Sequence, residues 1–204
     1  MKKPFLISAL VLAAIGAFAD GIINVGNGIS ATRFPIYGPQ VGSELTQVVG
    51  NGPLSAPPGT NVYTGALLSG SRWGIEFWAG PSTATDFRGL TLITSTTFRT
   101  AANPNALPNG ITTTIFGTIP NVPADGLAKL GVRVWDTQSG ASYDLAGVRG
   151  TSPTLSLSGP LGGGLTTPPN WVGESFSVVC CPEPSVGGLM ALGMALVAWK
   201  RKGS

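Results

Sequence analysis

The sequence predicts an all-β domain, an antiparallel β-sandwich of jelly-roll type, set between two short end segments that are not part of it. Three observations lead there. Short runs rich in Thr, Val, Ile and aromatic residues recur along the 204 residues, and turn formers, with 30 Gly and 17 Pro, fall between them. Several runs alternate in chemistry with the two-residue period of a strand that buries one face. The same Gly and Pro content disfavours long helices.

In chain order, Lys2 and Lys3 precede an apolar stretch over residues 5–17, and Ala17-Phe18-Ala19 matches the small-x-small pattern before a signal-peptidase cut. Residues 1–19 therefore read as a signal peptide with Asp20 as the first mature residue; an uncleaved N-terminal anchor is the alternative. Strands are predicted at 29–36, 62–68, 73–79, 90–100, 111–119, 130–136, 154–158 and 175–179, within a domain over 20–179. Residues 38–60 read as a long loop with one short strand at 45–49, and one helical turn is predicted at 124–127. Leu130, Val132 and Val134 fall on one face of their strand and Gly131, Arg133 and Trp135 on the other, while Leu155 and Leu157 alternate with Thr154, Ser156 and Ser158. Residues 159–171, with Gly162-Gly163-Gly164 and Pro168-Pro169, offer no apolar face and are expected to pack least.

The C-terminal end, 180–204, has three parts: Pro182-Glu183-Pro184-Ser185, an uncharged stretch over 186–199, and a basic end in Lys200, Arg201 and Lys202. Fourteen residues at 1.5 Å each reach about 21 Å as a helix, short of the roughly 30 Å of a hydrocarbon core. Flanking residues help, because Trp199 suits the interface and the stems of the three basic residues snorkel. Val186, Gly187, Gly188 and Leu189 open the segment, and Gly187, Gly188 and Gly193 let another helix approach closely. The positive-inside rule keeps the basic end cytoplasmic and puts 182–185 outside, where the prolines hold extended backbone open to a protease. A short permanent anchor is the alternative.

This tripartite end resembles the bacterial PEP-CTERM sorting signal. The resemblance implies a membrane-anchored precursor at the inner membrane, cut by an exosortase-type membrane protease and released to the cell surface or extracellular matrix. The body adds to it: Gly131-Val132-Arg133-Val134-Trp135-Asp136, then Ser139-Gly140-Ala141-Ser142-Tyr143, a Gly-rich turn and Thr154-Leu155-Ser156-Leu157, is similar to a recurrent group of secreted PEP-CTERM proteins without a settled activity. One departure is Cys181, where the residue before Pro-Glu-Pro is commonly Val. The partners implied are signal peptidase and the exosortase, with extracellular polysaccharide as a further candidate.

Five of the twelve Lys and Arg belong to the end segments, which leaves seven against nine Asp and Glu between Asp20 and Pro184, a formal charge of −2. The apparent basicity thus belongs to the ends, and nucleic acid is not an expected partner. Histidine is absent, which removes Ser-His-Asp and Cys-His catalysis. Cys180 and Cys181 are adjacent, so a bond between them closes no useful loop; free thiols, an intermolecular bridge and a vicinal disulfide are the three readings. No His or second Cys pair completes a metal cage, one loop ion near Asp125 or Asp136 being the remaining metal candidate, and no cofactor is implied.

Carboxylates are the remaining acid–base groups. Glu76, within Arg72-Trp73-Gly74-Ile75-Glu76-Phe77-Trp78, is the best placed, and hydrolysis needs a second at about 5–9 Å. Asp86, Asp136 and Glu174 are the candidate partners, against a solvated Glu76 opposite Arg72 or Arg133. Trp73, Trp78, Trp135, Tyr143 and Trp171 are candidates for stacking on sugar rings, with core placement expected of Trp78 and Trp135 before Trp171. The sequence therefore points to an exported, non-enzymatic β-sandwich, with a carbohydrate-binding module or weak glycoside hydrolase as the alternative. Aromatics converging on one exposed face beside paired carboxylates would separate the two.

Overall fold

The computed structural model describes residues 20–29, 32–153, 155–163 and 166–181. Among these there is no α-helix, and twelve strands form several sheets, mostly antiparallel, in a sandwich-like all-β body. The strands are β1 (Asp20–Val25), β2 (Gly28–Ile29), β3 (Thr32–Arg33), β4 (Ile36–Tyr37), β5 (Trp73–Pro81), β6 (Thr91–Thr97), β7 (Ile115–Pro123), β8 (Ala128–Asp136), β9 (Val148–Thr151), β10 (Ser156–Leu157), β11 (Phe176–Ser177) and β12 (Val179–Cys180). The largest sheet has the order β12-β9-β8-β5-β6, with β10 also on β8. Its spine is the ladder between β5 and β8, running from Trp73 opposite Asp136 to Pro81 opposite Ala128. A second antiparallel pair joins β1 to β7.

The strand period decides what is buried. Ile75, Phe77 and Ala79 of β5 and Leu130, Val132 and Val134 of β8 turn inward and meet Ile23 and Val25 of β1 with Ile119 and Val122 of β7. Trp171 fills the space between, its ring edge-on to Phe34 at 4.5 Å and to Phe77 at 5.6 Å. Each such side chain removed from water stabilises the fold by about 1.5–3 kcal/mol. Asn27, fully buried, holds the smaller elements to this core. Its Nδ2 donates to the carbonyls of Phe34 (3.1 Å) and Gly110 (2.6 Å), and its Oδ1 accepts from the amide of Thr112 (2.8 Å).

Several sequence expectations change. The predicted 29–36 strand is broken into short pieces, and 62–68 contributes only an isolated bridge between Leu67 and Tyr37. Likewise, 45–49 supplies only the bridge from Val49 to Phe176. The 124–127 helical turn is instead the tight connection from β7 to β8, because Asp125 takes φ 64° and the Gly126 amide donates to the Pro123 carbonyl (2.9 Å). Residues 159–171 do pack. Leu161 and Trp171 are buried, and Gly162 and Asn170 bridge to the edge of β1 that β7 leaves open. Toward the chain end, Ser152 and Ser158 are the buried positions, their Oγ atoms accepting from the amides of Val132 (3.0 Å) and Ala128 (2.9 Å), while Leu157 faces solvent.

No helix of the described residues is long and apolar enough to cross a membrane. The transmembrane helix expected at 186–199 lies outside the described residues.

Candidate functional site

The outer face of the β5–β8 spine gathers the chemistry. Glu76 and Trp78 of β5, and Lys129, Arg133 and Trp135 of β8, alternate with the core residues and therefore point away from the core. Two glycines open that face. A Cβ on Gly74 would lie 2.5 Å from the Trp135 ring, and one on Gly131 would lie 2.5 Å from Cζ of Phe87. Glycine inside a strand thus lets each ring lie down on the sheet. Phe87 reaches the face from a one-turn 3-10 helix (Phe87–Gly89), whose cap is Asp86, its Oδ1 accepting from the Arg88 amide (2.9 Å).

Arg133 stands at the centre. Its guanidinium carbon lies 4.8 Å from the centroid of the Trp78 ring, 4.8 Å from that of Phe87 and 4.9 Å from that of Tyr143. Such contacts are worth about 0.5–2 kcal/mol each, depending on exposure. Next to it, Arg149 lies 5.3 Å from the Tyr143 ring centroid and donates to the carbonyls of Tyr143 (2.9 Å) and Asp144 (2.7 Å). Burial pushes the Tyr143 hydroxyl up from its ordinary value, partly opposed by Arg149 and Arg133. Glu76 is the register partner of Arg133, yet its Oε2 accepts from Trp78 Nε1 (2.9 Å) and forms no ion pair. The only ion pair among the described residues joins Arg72 to Asp136 (2.6 Å).

Beside this cluster lies a cavity of about 650 Å³. Its walls are the β5–β6 connection (Ser82, Thr83, Thr85, Asp86, Phe87) and the interruption between β9 and β10 (Thr151, Ser152, Pro153, Leu155), with Lys129 completing the lining. The opening has a structural cause: β9 and β10 follow the same edge of β8, pairing with it up to Thr151 and Ser152 and again from Ser156.

The other sequence candidates separate from it. Asp136 faces inward, where its Oδ2 accepts from Arg72 Nη2 and Nε and its Oδ1 from the Gln138 amide (3.0 Å). Burial pushes its carboxyl up, but the Arg72 and Gln138 bonds outweigh this and hold it below the ordinary carboxylate range. Glu174 lies beside Tyr63. Asp125 accepts from Thr166 Oγ1 (3.3 Å), and no group of three or more His, Cys, Asp or Glu suited to a metal occurs among the described residues.

Trp78 and Trp135, expected in the core, are half-buried on the outer face, whereas Trp171 and Trp73 are the buried ones. Cys180 and Cys181 are free, half-buried thiols at the rim of the main sheet, their amides donating to the carbonyls of Glu44 (2.8 Å) and Gly147 (2.6 Å). Asp20 begins β1 and its Oδ1 accepts from the Asn121 amide (3.1 Å). Ala17, Ala19, Pro182, Glu183, Pro184, Ser185, Val186, Gly187, Gly188, Leu189, Trp199, Lys200, Arg201 and Lys202 lie outside the described residues.

Phe87, Arg149, Lys129 and the cavity-lining residues other than Asp86 and Leu155 are not singled out by the sequence. The signal available was Gly131 inside an otherwise regular strand, which marks a close approach by some other group. No family model, curated protein or solved structure matches this chain.

Proposed function

We propose that this chain is an exported, non-enzymatic cell-surface or extracellular-matrix protein, delivered by its signal peptide and released through its PEP-CTERM-like tail. Signal peptidase and an exosortase-type protease at the inner membrane are the processing partners, and the short helix at 186–199 is the transient anchor. The observation that carries this reading is the tail itself. For the body we infer a two-sheet antiparallel sandwich of jelly-roll kind, the β1–β7 pair packed over the inner face of the main sheet. Replacing Glu183 with Ala, or Pro182 and Pro184 with Ala, should leave the protein in the membrane fraction at its uncut mass. Release of such a variant at wild-type size would remove the sorting reading.

A second reading, saccharide binding by the sandwich, is favoured by a specific observation. Aromatic rings converge on one outer face beside a cavity lined with hydroxyls. Among the described carboxylates, Asp136 is turned inward to Arg72, and Asp86 spends one oxygen on the Arg88 amide. Binding without hydrolysis is therefore the form of this reading that the geometry supports.

A further inference from the structure

We infer that the cavity bounded by Phe87, Lys129 and Thr151 binds a carboxylate-bearing pyranose, as in a uronic-acid polymer. This rests on the saccharide-binding reading and sharpens it to a charge class and an address. The cavity, at about 650 Å³, falls in the range of about 300–1,000 Å³ usual for small-molecule sites. Its lining pairs an aromatic wall, Phe87, with the hydroxyl side chains of Ser82, Thr83 and Thr85, while the Thr151 and Ser152 hydroxyls, also in the lining, bond to the Val132 carbonyl and amide. That mixture suits a ring with one apolar face and a rim of hydroxyls. Asp86 holds the Arg88 amide through Oδ1, which leaves its other oxygen to accept from a sugar hydroxyl.

The charge class comes from the cations. Lys129 and Arg133 both point outward from β8, four residues and about 13 Å apart, with Gly131 and the Phe87 ring between them. Among the described residues, Lys129 Nζ contacts only the Leu155 carbonyl, at 3.5 Å, and no carboxylate. Arg133 has rings packed around its guanidinium and no hydrogen-bond acceptor, although Glu76 is opposite it in register. A guanidinium held by rings, with its N–H edge unspent, is preorganised for a carboxylate. A pyranose stacked at Phe87 therefore has Lys129 in the cavity lining to receive its carboxylate, while Arg133 packs on the Phe87 ring outside that lining and adds charge from the neighbouring cluster.

The test is affinity electrophoresis of the full chain in mild detergent, in gels containing polygalacturonate, its methyl ester, a neutral β-glucan or dextran sulfate. Retardation by polygalacturonate at least about tenfold stronger than by the ester is expected, the scale of one charge-assisted hydrogen bond. Lys129→Gln should lose about tenfold of it while melting as wild type does. Arg133→Lys should lose less, because it keeps the charge and drops the fork. Equal retardation by acid and ester overturns the charge class but leaves saccharide binding standing, and retardation by none of the four overturns both. Binding to dextran sulfate as strong as to polygalacturonate and insensitive to Lys129→Gln would be simple ion exchange, and would also overturn the inference.

Discussion

Adding one methyl group at Gly131 tests whether the outer face is built as described. The new Cβ would lie 2.5 Å from Phe87 Cζ, 2.9 Å from its Cε1 and 2.8 Å from Leu155 Cδ2. Carbon atoms prefer about 3.5–4.0 Å, so the Phe87 ring must retreat by about 1 Å, whereas the flexible end of Leu155 turns aside easily. Overpacking of this kind costs about 1–3 kcal/mol. At about 2–4 °C per kcal/mol for a domain of this size, Gly131→Ala should lower the melting temperature by roughly 4–8 °C for a cost near 2 kcal/mol. The decisive measurement is a double-mutant cycle followed by thermal unfolding. Phe87→Ala removes the ring that the methyl group meets, so Gly131→Ala in that background should cost far less, with a coupling of about 1–2 kcal/mol favouring the double variant. Costs that add to within about 0.5 kcal/mol would show that the ring does not rest on this glycine, and the cavity wall would have to be drawn differently.

Two further outcomes follow from groups with shifted acidities. The Asp136 carboxyl is lowered in the folded state, so its stabilisation is present above the unfolded value of about 3.9 and is lost as pH falls through the folded value; Asp136→Asn should flatten the acid limb of a stability–pH profile. Because Arg72 is 54% exposed on its side chain, the cost at neutral pH should sit near the low end of about 1–3 kcal/mol, and an unchanged acid limb would refute the assignment. Burial, then Glu44 and Cys181, raise the Cys180 thiol, so it favours the folded state below the unfolded value of about 8.5 and ceases to as pH rises through its folded value. In a Cys181→Ser variant at pH 8, iodoacetamide should modify Cys180 more slowly in the folded chain than in denaturant, and equal rates would place that thiol in open chain.

The long central ladder was legible at 73–79 and 130–136 because the residues from Leu130 to Trp135 alternate with a two-residue period and 73–79 is an aromatic and β-branched run between turn formers; the strands extend beyond both, to Trp73–Pro81 and Ala128–Asp136. What failed was what depends on a distant partner. β1 escapes the sequence reading because Gly21-Ile22-Ile23-Asn24-Val25 follows closely on the apolar stretch over residues 5–17, and its meaning depends on β7, nearly a hundred residues later. Residues 159–171 read as unpackable because composition averages over Leu161 and Trp171, two side chains that fill space no local rule predicts. The 62–68 segment has strand composition, but some of its polar backbone groups bond to side chains, as the Thr64 amide does to Gln40 Oε1 at 2.9 Å. At the candidate site, the parity of β8 already put Trp135 and Arg133 opposite Leu130, Val132 and Val134. The general preference of tryptophan for cores argued the other way, and at Trp78 and Trp135 parity prevailed.

That outcome has a physical basis in how the two faces are supplied. The inner face is already filled by apolar side chains of β1, β4, β5, β7, β8 and β11, Trp73 among them, together with Phe34 and Trp171, and has no use for two more indoles. Outside, Trp78 donates to Glu76 and meets Arg133, while Trp135 covers Gly74 with its indole N–H buried and without an acceptor among the described residues. Arg133 in turn gains contact with three rings without an ion pair, so much of its stabilisation comes from the aromatic packing, and its N–H groups need not be spent on the fold. A surface built only for solubility would more simply have paired Arg133 with Glu76 across the ladder. Here Trp78 holds the carboxylate of Glu76, the guanidinium stays uncommitted beside a hydroxyl-lined cavity, and the glycines let the Trp135 and Phe87 rings lie against the sheet.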